Sequence, residues 1–358
     1  YQIEIFGAEM SGQWRLNDAF DIAFGVESKR YELGDTSNFS NVTSAINGSP
    51  LSINLGQVVD LQQLDPKNNR ASFWIRQGVN RELLASYVQA QVKLSETLSM
   101  IGGLRFDEFS DFGHATSPRI GLTWQLDEHL FFKAMHGEAF NPPAWIQLYD
   151  QTVTDRNESR QFGNPNLNSA SIRTTEMQLG YTLNDSFTFQ GTVYQARTEH
   201  EVSFNGDSEQ FENEGSRKTA GLELELFGRL LSVNFWAQYA FNNATQGFGT
   251  GAPIFPKHLF NLGAGFEFSH RLALSGSYTF TSTMNRETSD SREAIEASHT
   301  VQIAARYRLN EEAELSLFVE NALGESLVSP VDVTQADALV ADIPVDGRKV
   351  SLSLNLSF

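Results

Sequence analysis

Residues 350–358 read Val-Ser-Leu-Ser-Leu-Asn-Leu-Ser-Phe, and their strict alternation decides the fold. Every second residue from Val350 to Phe358 is apolar, and the residues between them are serine or asparagine. Residues two apart in a β-strand share one face of the strand. The pattern therefore predicts a strand with one apolar face and one polar face.

The same alternation recurs along the whole chain. It is clear at 177–183, 262–268 and 301–309, where apolar residues again occupy every second position. The pattern predicts about 15 strands, each at least as long as the roughly 9–11 tilted residues that cross a bilayer. They are predicted near residues 1–13, 19–33, 82–94, 98–110, 115–126, 130–140, 173–183, 187–204, 214–229, 231–243, 258–268, 271–284, 299–309, 313–322 and 347–358.

The composition excludes several classes of protein. The 358 residues carry 26 basic and 44 acidic side chains, a formal net charge of −18, which argues against a nucleic-acid partner. The absence of cysteine excludes disulfides, thiolate nucleophiles and cysteine-ligated metal sites. No stretch approaches the roughly 18–20 unbroken apolar residues that a membrane-spanning helix needs.

Alternation alone also fits a soluble sandwich or propeller, whose apolar face points inward. Three features favour a membrane barrel instead. Tight turns such as Asn17-Asp18 alternate with long polar loops such as 141–172, as periplasmic turns alternate with outer loops. Aromatic residues gather near the short turns, as they do at membrane interfaces. The face opposite the apolar one carries polar side chains such as Glu223 and Gln238, which predicts a hydrophilic lumen.

The parity of the strands predicts that more strands precede Tyr1. Single-chain bacterial barrels have an even number of strands, and free strand edges in lipid leave backbone groups unpaired at a cost of several kcal/mol each. The chain also begins within a strand-like run, without Met or a basic leader segment. We therefore expect a processed chain or a fragment, the C-terminal part of a larger transmembrane antiparallel β-barrel.

Five stretches, in order along the chain, resemble motifs of the TonB-dependent outer-membrane receptors. They depart from the family pattern at Asn141-Pro142, at Ser169-Ala170 and within 321–324, which loosens any assignment to a subfamily. The stretches are Ser117-Pro118-Arg119-Ile120-Gly121-Leu122 with 136–149, Gly163-Asn164-Pro165-Asn166-Leu167, Phe211-Glu212-Asn213-Glu214-Gly215 with Gly221, Asn321-Ala322-Leu323-Gly324, and Gly347-Arg348 with Phe358.

The resemblance implies a barrel of about 22 strands, of which this chain holds about the last 15. Residues 1–358 are then a single partial barrel domain, without the N-terminal plug and the first strands. The implied function is active uptake of a scarce nutrient, most often a ferric siderophore, across the bacterial outer membrane. The implied partners are TonB, through the missing N-terminal region, outer-membrane lipid and lipopolysaccharide, the barrel-assembly machinery through Phe358, and a small-molecule ligand. We expect a monomer, no resident cofactor and no enzyme activity.

Two other functions fit the alternating pattern. A passive diffusion porin would have a constriction loop in the lumen and no plug upstream, and a surface barrel would bind or adhere without transport. The coding sequence upstream of Tyr1 discriminates them, because a globular segment with a short coupling box favours the transporter. A signal peptide that leads directly into strands favours the porin.

The predicted outer loop 141–162 holds the candidate ligand-binding residues. Aromatic rings offer stacking surface, and arginine offers bidentate contact to the oxygens of a chelate, although ordinary loop packing explains each residue as well. The candidates are Trp145, Tyr149, Arg156 and Arg160.

Other patterns are weaker. His136 and Glu138 share strand spacing and are interpreted as a lumen-facing polar pair rather than a metal site. The loop 325–346 carries Asp332, Asp337, Asp342 and Asp346, which we interpret as a solvated acidic loop rather than a divalent-cation site.

Overall fold

The computed structural model describes residues 3–34, 39–40, 42–43, 52–53, 59–60, 78–153, 160–184, 186–247, 255–286, 292–331 and 342–357. It contains one main sheet with fifteen long strands. These are β1 Ile3–Asn17, β2 Phe20–Leu33, β3 Asn80–Lys93, β4 Leu98–Phe109, β5 Gly113–Gln125, β6 Leu130–Asn141, β7 Ala170–Thr182, β8 Phe187–Asn205, β9 Gln210–Leu230, β10 Val233–Gly247, β11 His258–Glu267, β12 Leu272–Thr281, β13 Ser298–Arg308, β14 Ala313–Glu320 and β15 Lys349–Leu356.

Shorter elements lie between the long strands. One helix, α1, spans Trp145–Tyr149, and no helix in the described ranges is long and apolar enough to cross a membrane. The short strands are Phe39–Ser40, Val42–Thr43, Ser52–Ile53, Val59–Asp60, Gln151–Val153, Arg160–Phe162, Val328–Ser329 and Ile343–Pro344.

Each long strand pairs antiparallel with the next one along the chain, from β1 to β15. This is an up-and-down meander, so the prediction of an all-β antiparallel sheet with about 15 strands is confirmed. Among the described residues, β1 pairs only with β2 and β15 pairs only with β14.

The connections at one end of the sheet are tight turns with a recurring hydrogen bond. The side-chain oxygen of Asn17, Asn184 or Asn310 accepts a hydrogen bond from the backbone N–H two residues later, at 2.9 Å in each case. Such local side-chain bonds explain why Asn and Asp favour turns. This end is called the short-turn end. The opposite, long-loop end carries loops such as 142–169 and 282–297, as predicted, but also two short turns at 110–112 and 206–209.

The apolar rows of the strands are exposed rather than packed in a dry centre. Met177 lies directly opposite Val193, which lies opposite Leu222, so the three side chains share one face. The side chain of Val193 is 50% exposed and that of Met177 is 48% exposed. The face that they form is called the apolar face.

The other face of the sheet is hydrophilic. Gln178 donates a hydrogen bond to Thr192 at 3.2 Å on the neighbouring strand, and Gln238 donates to Glu225 at 3.3 Å. This face is called the polar face, and it is the predicted lining of a lumen.

The register corrects one interpretation of the sequence. His136 lies opposite Ile120 and Thr175, and Glu138 lies opposite Arg173. Because Ile120 is an exposed residue of the apolar face, both His136 and Glu138 belong to that face and not to the lumen. In strand β6, Ala134 lies on the apolar face and Lys133 lies on the polar face. The spacing of His136 and Glu138 shows that they share a face, but it does not show which face.

Buried residues concentrate at the long-loop end. One small cluster contains Leu83, Ala85 and Phe109, and another contains Leu148, Leu167 and Phe211. The sheet itself therefore has no extended dry core in its described part, and the packed side chains instead position the loops above the polar face.

Candidate functional site

The stretch Gly163–Leu167 holds α1 in place above the sheet. Asn164 donates its backbone N–H to the carbonyl of Gln147 at 2.8 Å and its side-chain amide to the carbonyl of Phe211 at 2.9 Å. Leu167 is buried against Leu148, which is only 1% exposed. A Cβ at Gly163 would overlap backbone atoms of the last turn of α1. The motif is thus a structural corner that fixes the loop.

A second motif joins this corner to the hairpin of β8 and β9. The side chain of Asn213 accepts a hydrogen bond from the N–H of Asn168 at 2.8 Å and donates to the carbonyls of Asn168 and His200. His200 has a positive φ of 58°, at a break in the β8–β9 register between Thr198 and Glu201. Asn213 satisfies the backbone groups that this irregularity frees.

A cavity of about 540 Å³ lies beneath α1 at this corner. On one wall Arg217 approaches Glu201 at 3.3 Å, while its Nε is buried without a hydrogen-bond partner. A buried N–H without an acceptor costs free energy, and the Nε edge of a guanidinium fits a carboxylate-like pair of oxygens. Polar lining is completed by Asn141, Gln147, Ser171, Thr198 and Ser203. The cavity is therefore lined by one guanidinium, one carboxylate and several neutral polar groups.

Arg81 at the start of β3 ties α1 to the short turn 110–112. Its guanidinium pairs with Asp111 at 2.8 Å and donates to the carbonyl of Pro143 at 2.8 Å. The same group lies 4.9 Å from the ring centre of Phe112 and 5.9 Å from that of Trp145. An arginine that is ion-paired, hydrogen-bonded and stacked on rings makes this part of the mouth rigid.

Charged side chains also cluster on the polar face below the mouth. Arg105 pairs with Asp107 at 2.7 Å and with Glu27 at 2.8 Å, and Lys29 pairs with Glu27. Asp107 is 2% exposed. The two carboxylates and two cations neutralise one another, so the cluster braces β2, β3 and β4 across the lumen wall.

Two other loops at the long-loop end, 282–297 and 321–348, are joined by an ion pair. Asp342, 13% exposed, pairs with Arg286 and lies 3.6 Å from Arg292. Its carboxylate also accepts the backbone N–H of Val331 at 3.1 Å. The interpretation of 325–346 as a solvated acidic loop is therefore wrong for Asp342. Asp332 and Asp337 lie outside the described residues.

We expect acid to separate these two loops. The hydrogen bond from Arg286 lowers the pKa of Asp342 below its usual range. A lowered pKa means that the ion pair stabilises the docked loops at higher pH and loses this effect as the pH falls through the lowered value. Spin labels at Ala294→Cys and Ser326→Cys, on two loops that line a cavity of about 800 Å³, should report one fixed distance between the labels at pH 7. In acid, once the pH is below the lowered pKa of Asp342, they should report a broad distribution of distances.

The Asp342→Asn variant provides the control for this measurement. This variant should show a broad distribution of spin-label distances already at neutral pH, because its neutral amide cannot form the ion pair at any pH. An unchanged separation in acid, or a narrow distribution in the Asn variant, would contradict the role of Asp342.

The structure separates two of the predicted ligand-binding residues, Trp145 and Tyr149, from the cavity. Trp145 and Tyr149 lie one turn apart on α1 and pack against Leu33 and Val79, and neither lines the cavity under α1. Arg156 lies outside the described residues, and so does the side chain of Arg160. A ligand-binding role for Trp145, Tyr149, Arg156 and Arg160 stays a prediction.

Sequence reasoning missed Arg81, Arg217 and Glu201. Each lies at a position that the period-two alternation assigns to the polar face or its upper edge. The strand pattern therefore contained the information about which face each side chain is on. What the alternation could not give is the register across strands, which brings residue 217 to residue 201 and residue 81 to residue 111.

The fold and this site define a class of protein. It is a transmembrane barrel of the outer-membrane type, with an apolar outer face, a polar lumen and a mouth built by long loops. The family model described as TonB dependent receptor-like, beta-barrel matches residues 5–322, and the chain belongs to this family. The resemblance read from the sequence is thereby confirmed, and the protein is assigned to the bacterial outer membrane.

Solved structures share the fold at low sequence identity. The siderophore receptor PirA from Acinetobacter baumannii has a TM-score of 0.72 and 15% identity over 99% of this chain and 55% of that chain. A variant of the ferric enterobactin receptor PfeA from Pseudomonas aeruginosa, in complex with enterobactin, has a TM-score of 0.73 and 18% identity over 99% and 54%. The ferric-catecholate import receptor Fiu from Escherichia coli K12 has a TM-score of 0.70 and 15% identity over 99% of this chain and 54% of that chain.

The chain thus spans about half the length of these receptors. No curated protein sequence matches it significantly. Within the described part of the chain, no group of three or more His, Asp or Glu residues is arranged to hold a metal ion.

Proposed function

We propose that this chain is the C-terminal barrel portion of an outer-membrane receptor that imports a ferric siderophore or a related iron chelate. The observation that carries the proposal is the polar cavity with Arg217 on its wall at the long-loop end, in a chain of the TonB-dependent receptor family. Arg217 lines this cavity and its Nε has no hydrogen-bond partner, and a guanidinium suits the anionic oxygens of a ferric chelate. The solved structures with the same fold include receptors for siderophores and ferric catecholates.

The proposed energy source and partners lie outside this chain. TonB would act through an N-terminal plug that precedes residues 1–358, which form one partial barrel domain. The wall, the lumen lining and the outer loops come from the residues present, and no covalent chemistry is required of them. The barrel-assembly machinery would recognise Phe358, which lies outside the described residues, and the receptor would act as a monomer.

Uptake in cells tests the proposed function. Cells with and without the gene are grown on single ferric chelates, and uptake of radioactive iron is measured before and after the proton gradient is collapsed. The proposal expects gene-dependent uptake of at least one chelate, abolished with the gradient. Gene-dependent uptake that persists without the gradient would instead indicate a passive porin.

Replacing Arg217 with glutamine should lower uptake of the chelate about tenfold, because a charge-assisted hydrogen bond is lost. The measurement is initial uptake at low chelate concentration, with surface expression determined in parallel. Arg15→Gln is the matched control, since Arg15 pairs with Asp21 near the short-turn end, far from the mouth. Equal uptake by the Arg217 variant and the wild type would contradict the proposal that this cavity binds the chelate.

A further inference from the structure

The hairpin of β8 and β9 ends, at the long-loop end, in a turn that contains an Asn-Gly pair. Asn205 is the last residue of β8, and the turn 206–209 follows it. Gly206 is exposed, and a Cβ at this position would meet no atom within 4 Å. The backbone of Gly206 therefore lies in open space and can adopt conformations that other residues avoid.

The side-chain amide of Asn205 is held by hydrogen bonds on both of its polar atoms. Its Oδ1 accepts the backbone N–H of Asp207 at 2.9 Å and that of Ser208 at 3.4 Å. Its Nδ2 donates to the carboxylates of Glu212 at 3.0 Å and Glu214 at 3.4 Å. The two backbone N–H groups are placed to stabilise the negative charge that develops on Oδ1 when the amide carbon is attacked.

The nucleophile for such an attack is the backbone nitrogen of Gly206, the residue that follows Asn205. Attack on Cγ of Asn205 forms a carbon–nitrogen bond and closes a cyclic imide. The bond between Cγ and Nδ2 breaks, and Nδ2 leaves as ammonia together with the proton of the Gly206 amide. Water then opens the ring at either of its carbonyl carbons, which gives aspartate or isoaspartate at this position.

We propose that Asn205 is a modification site, at which the side-chain amide converts without an enzyme to a carboxylate through this cyclic imide. Asn17, Asn184 and Asn310 also accept the N–H two residues later, but each is followed by an acidic residue instead of glycine. A side chain on the attacking residue hinders ring closure, so these three turns lack what Gly206 supplies. The inference goes beyond the transport function and does not depend on which ligand the receptor imports.

The modification weakens the end of the hairpin. The new carboxylate at residue 205 removes the donor to Glu212 and Glu214 and adds a negative charge beside them, so hydrogen bonds are lost and like charges repel. The next pair along the hairpin joins Phe204 and Phe211, and Phe211 belongs to the buried cluster with Leu148 of α1. The conversion therefore loosens the hairpin beside the corner that positions α1.

Ageing of the full-length receptor tests this proposal. The folded receptor is kept in detergent at neutral pH and physiological temperature, and the ratio of amide to acid at each asparagine is followed by mass spectrometry of its peptides. A methyltransferase specific for isoaspartate identifies the second product. Conversion at Asn205 should be about tenfold faster than at Asn17, Asn184 or Asn310, because glycine closes the ring without the steric penalty of a side chain.

The variant Gly206→Ala keeps the asparagine and changes only the attacking residue. It should slow the conversion of Asn205 about tenfold, because the added Cβ restricts the backbone at the attacking nitrogen. The barrel should stay folded, since the Cβ meets no atom within 4 Å, and resistance of the unheated barrel to SDS checks this. Equal rates at the four asparagines, or an unchanged rate in the Ala variant, would overturn the proposal.

The variant Asn205→Asp carries a product of the reaction from the start. Hydrogen exchange of the backbone N–H groups in 204–212 should be about tenfold faster in this variant, since two hydrogen bonds to charged groups are lost. Asn310→Asp is the matched control at the short-turn end, where the new carboxylate can still accept the N–H of Glu312, and exchange there should match the wild type. Equal exchange of 204–212 in the Asn205 variant and the wild type would contradict the loosening of the hairpin.

Discussion

Arginine in place of Val193 is expected to lower the free energy of unfolding of the barrel by about 2–4 kcal/mol, the cost of a charge on the lipid face near the bilayer midplane. Val193 lies on β8 in the apolar face, opposite Met177 and Leu222, and six residues from the short-turn end at Phe187. The measurement is reversible unfolding in urea from lipid vesicles, followed by tryptophan fluorescence.

The neighbouring residue gives the control. Thr192 lies on the polar face opposite Glu223, so Thr192→Arg places the same charge in the lumen beside a carboxylate. Its effect should be clearly smaller than that of Val193→Arg, because Glu223 can pair with the added charge and only the hydrogen bond from Gln178 is lost. Equal destabilisation by the two variants would mean that the faces do not differ in environment.

Alanine in place of Gly163 is expected to abolish most ligand uptake while leaving the barrel folded. The added Cβ would overlap backbone atoms of Leu148, Tyr149 and Asp150, which cannot move aside like the end of a flexible side chain. Overpacking of this kind typically costs about 1–3 kcal/mol. The strain falls on α1 and its corner, so the cavity above Arg217 should open. We expect a drop in iron uptake of more than about tenfold, given that 1.4 kcal/mol corresponds to tenfold, together with protease cleavage within 142–169.

Gly206→Ala is the matched control, because Gly206 lies in the outer turn 206–209 and a Cβ there would meet no atom within 4 Å. It should import iron and resist protease like the wild type. Normal uptake by the Gly163 variant would contradict the claim that the corner formed by Gly163–Leu167 is needed for ligand binding.

The sheet could be predicted from the sequence because its signal is local. In β15, apolar residues alternate with serine and asparagine over its whole length, and the structure places Leu352 and Leu354 on one exposed face. Strand ends were less accurate, since β9 begins at Gln210 rather than near 214. In the extension Phe211 pairs with Phe204 across the hairpin, and the alternation within one strand does not report such a pairing.

The family motifs were recognisable before their physical roles were. Gly163 is needed for the close approach of α1, and Asn321 has a positive φ of 46° and closes its turn with two hydrogen bonds to Glu325. These roles depend on distances between segments, which a motif does not contain.

The charged contacts between different strands and loops could not be predicted from the sequence, because they join distant segments through the register. Arg105 is 78 residues from Glu27 and Arg286 is 56 residues from Asp342. A one-residue shift in register would move such a side chain to the other face. The candidate ligand-binding residues in the 141–162 loop were predicted from the chemistry of their side chains alone. That chemistry does not show that Trp145 and Tyr149 pack against Leu33 and Val79.

Cysteine scanning along β7 tests most directly which face meets lipid. The chain contains no cysteine, so single cysteines at 176–181 can each carry a fluorescent label in vesicles of brominated phosphatidylcholine. Labels at Met177, Leu179 and Tyr181 should be quenched by the brominated chains, while labels at Glu176 and Gln178 should respond only to an aqueous quencher. Quenching at the even positions instead, or protection of the odd positions from both quenchers, would contradict the outward orientation of the apolar rows.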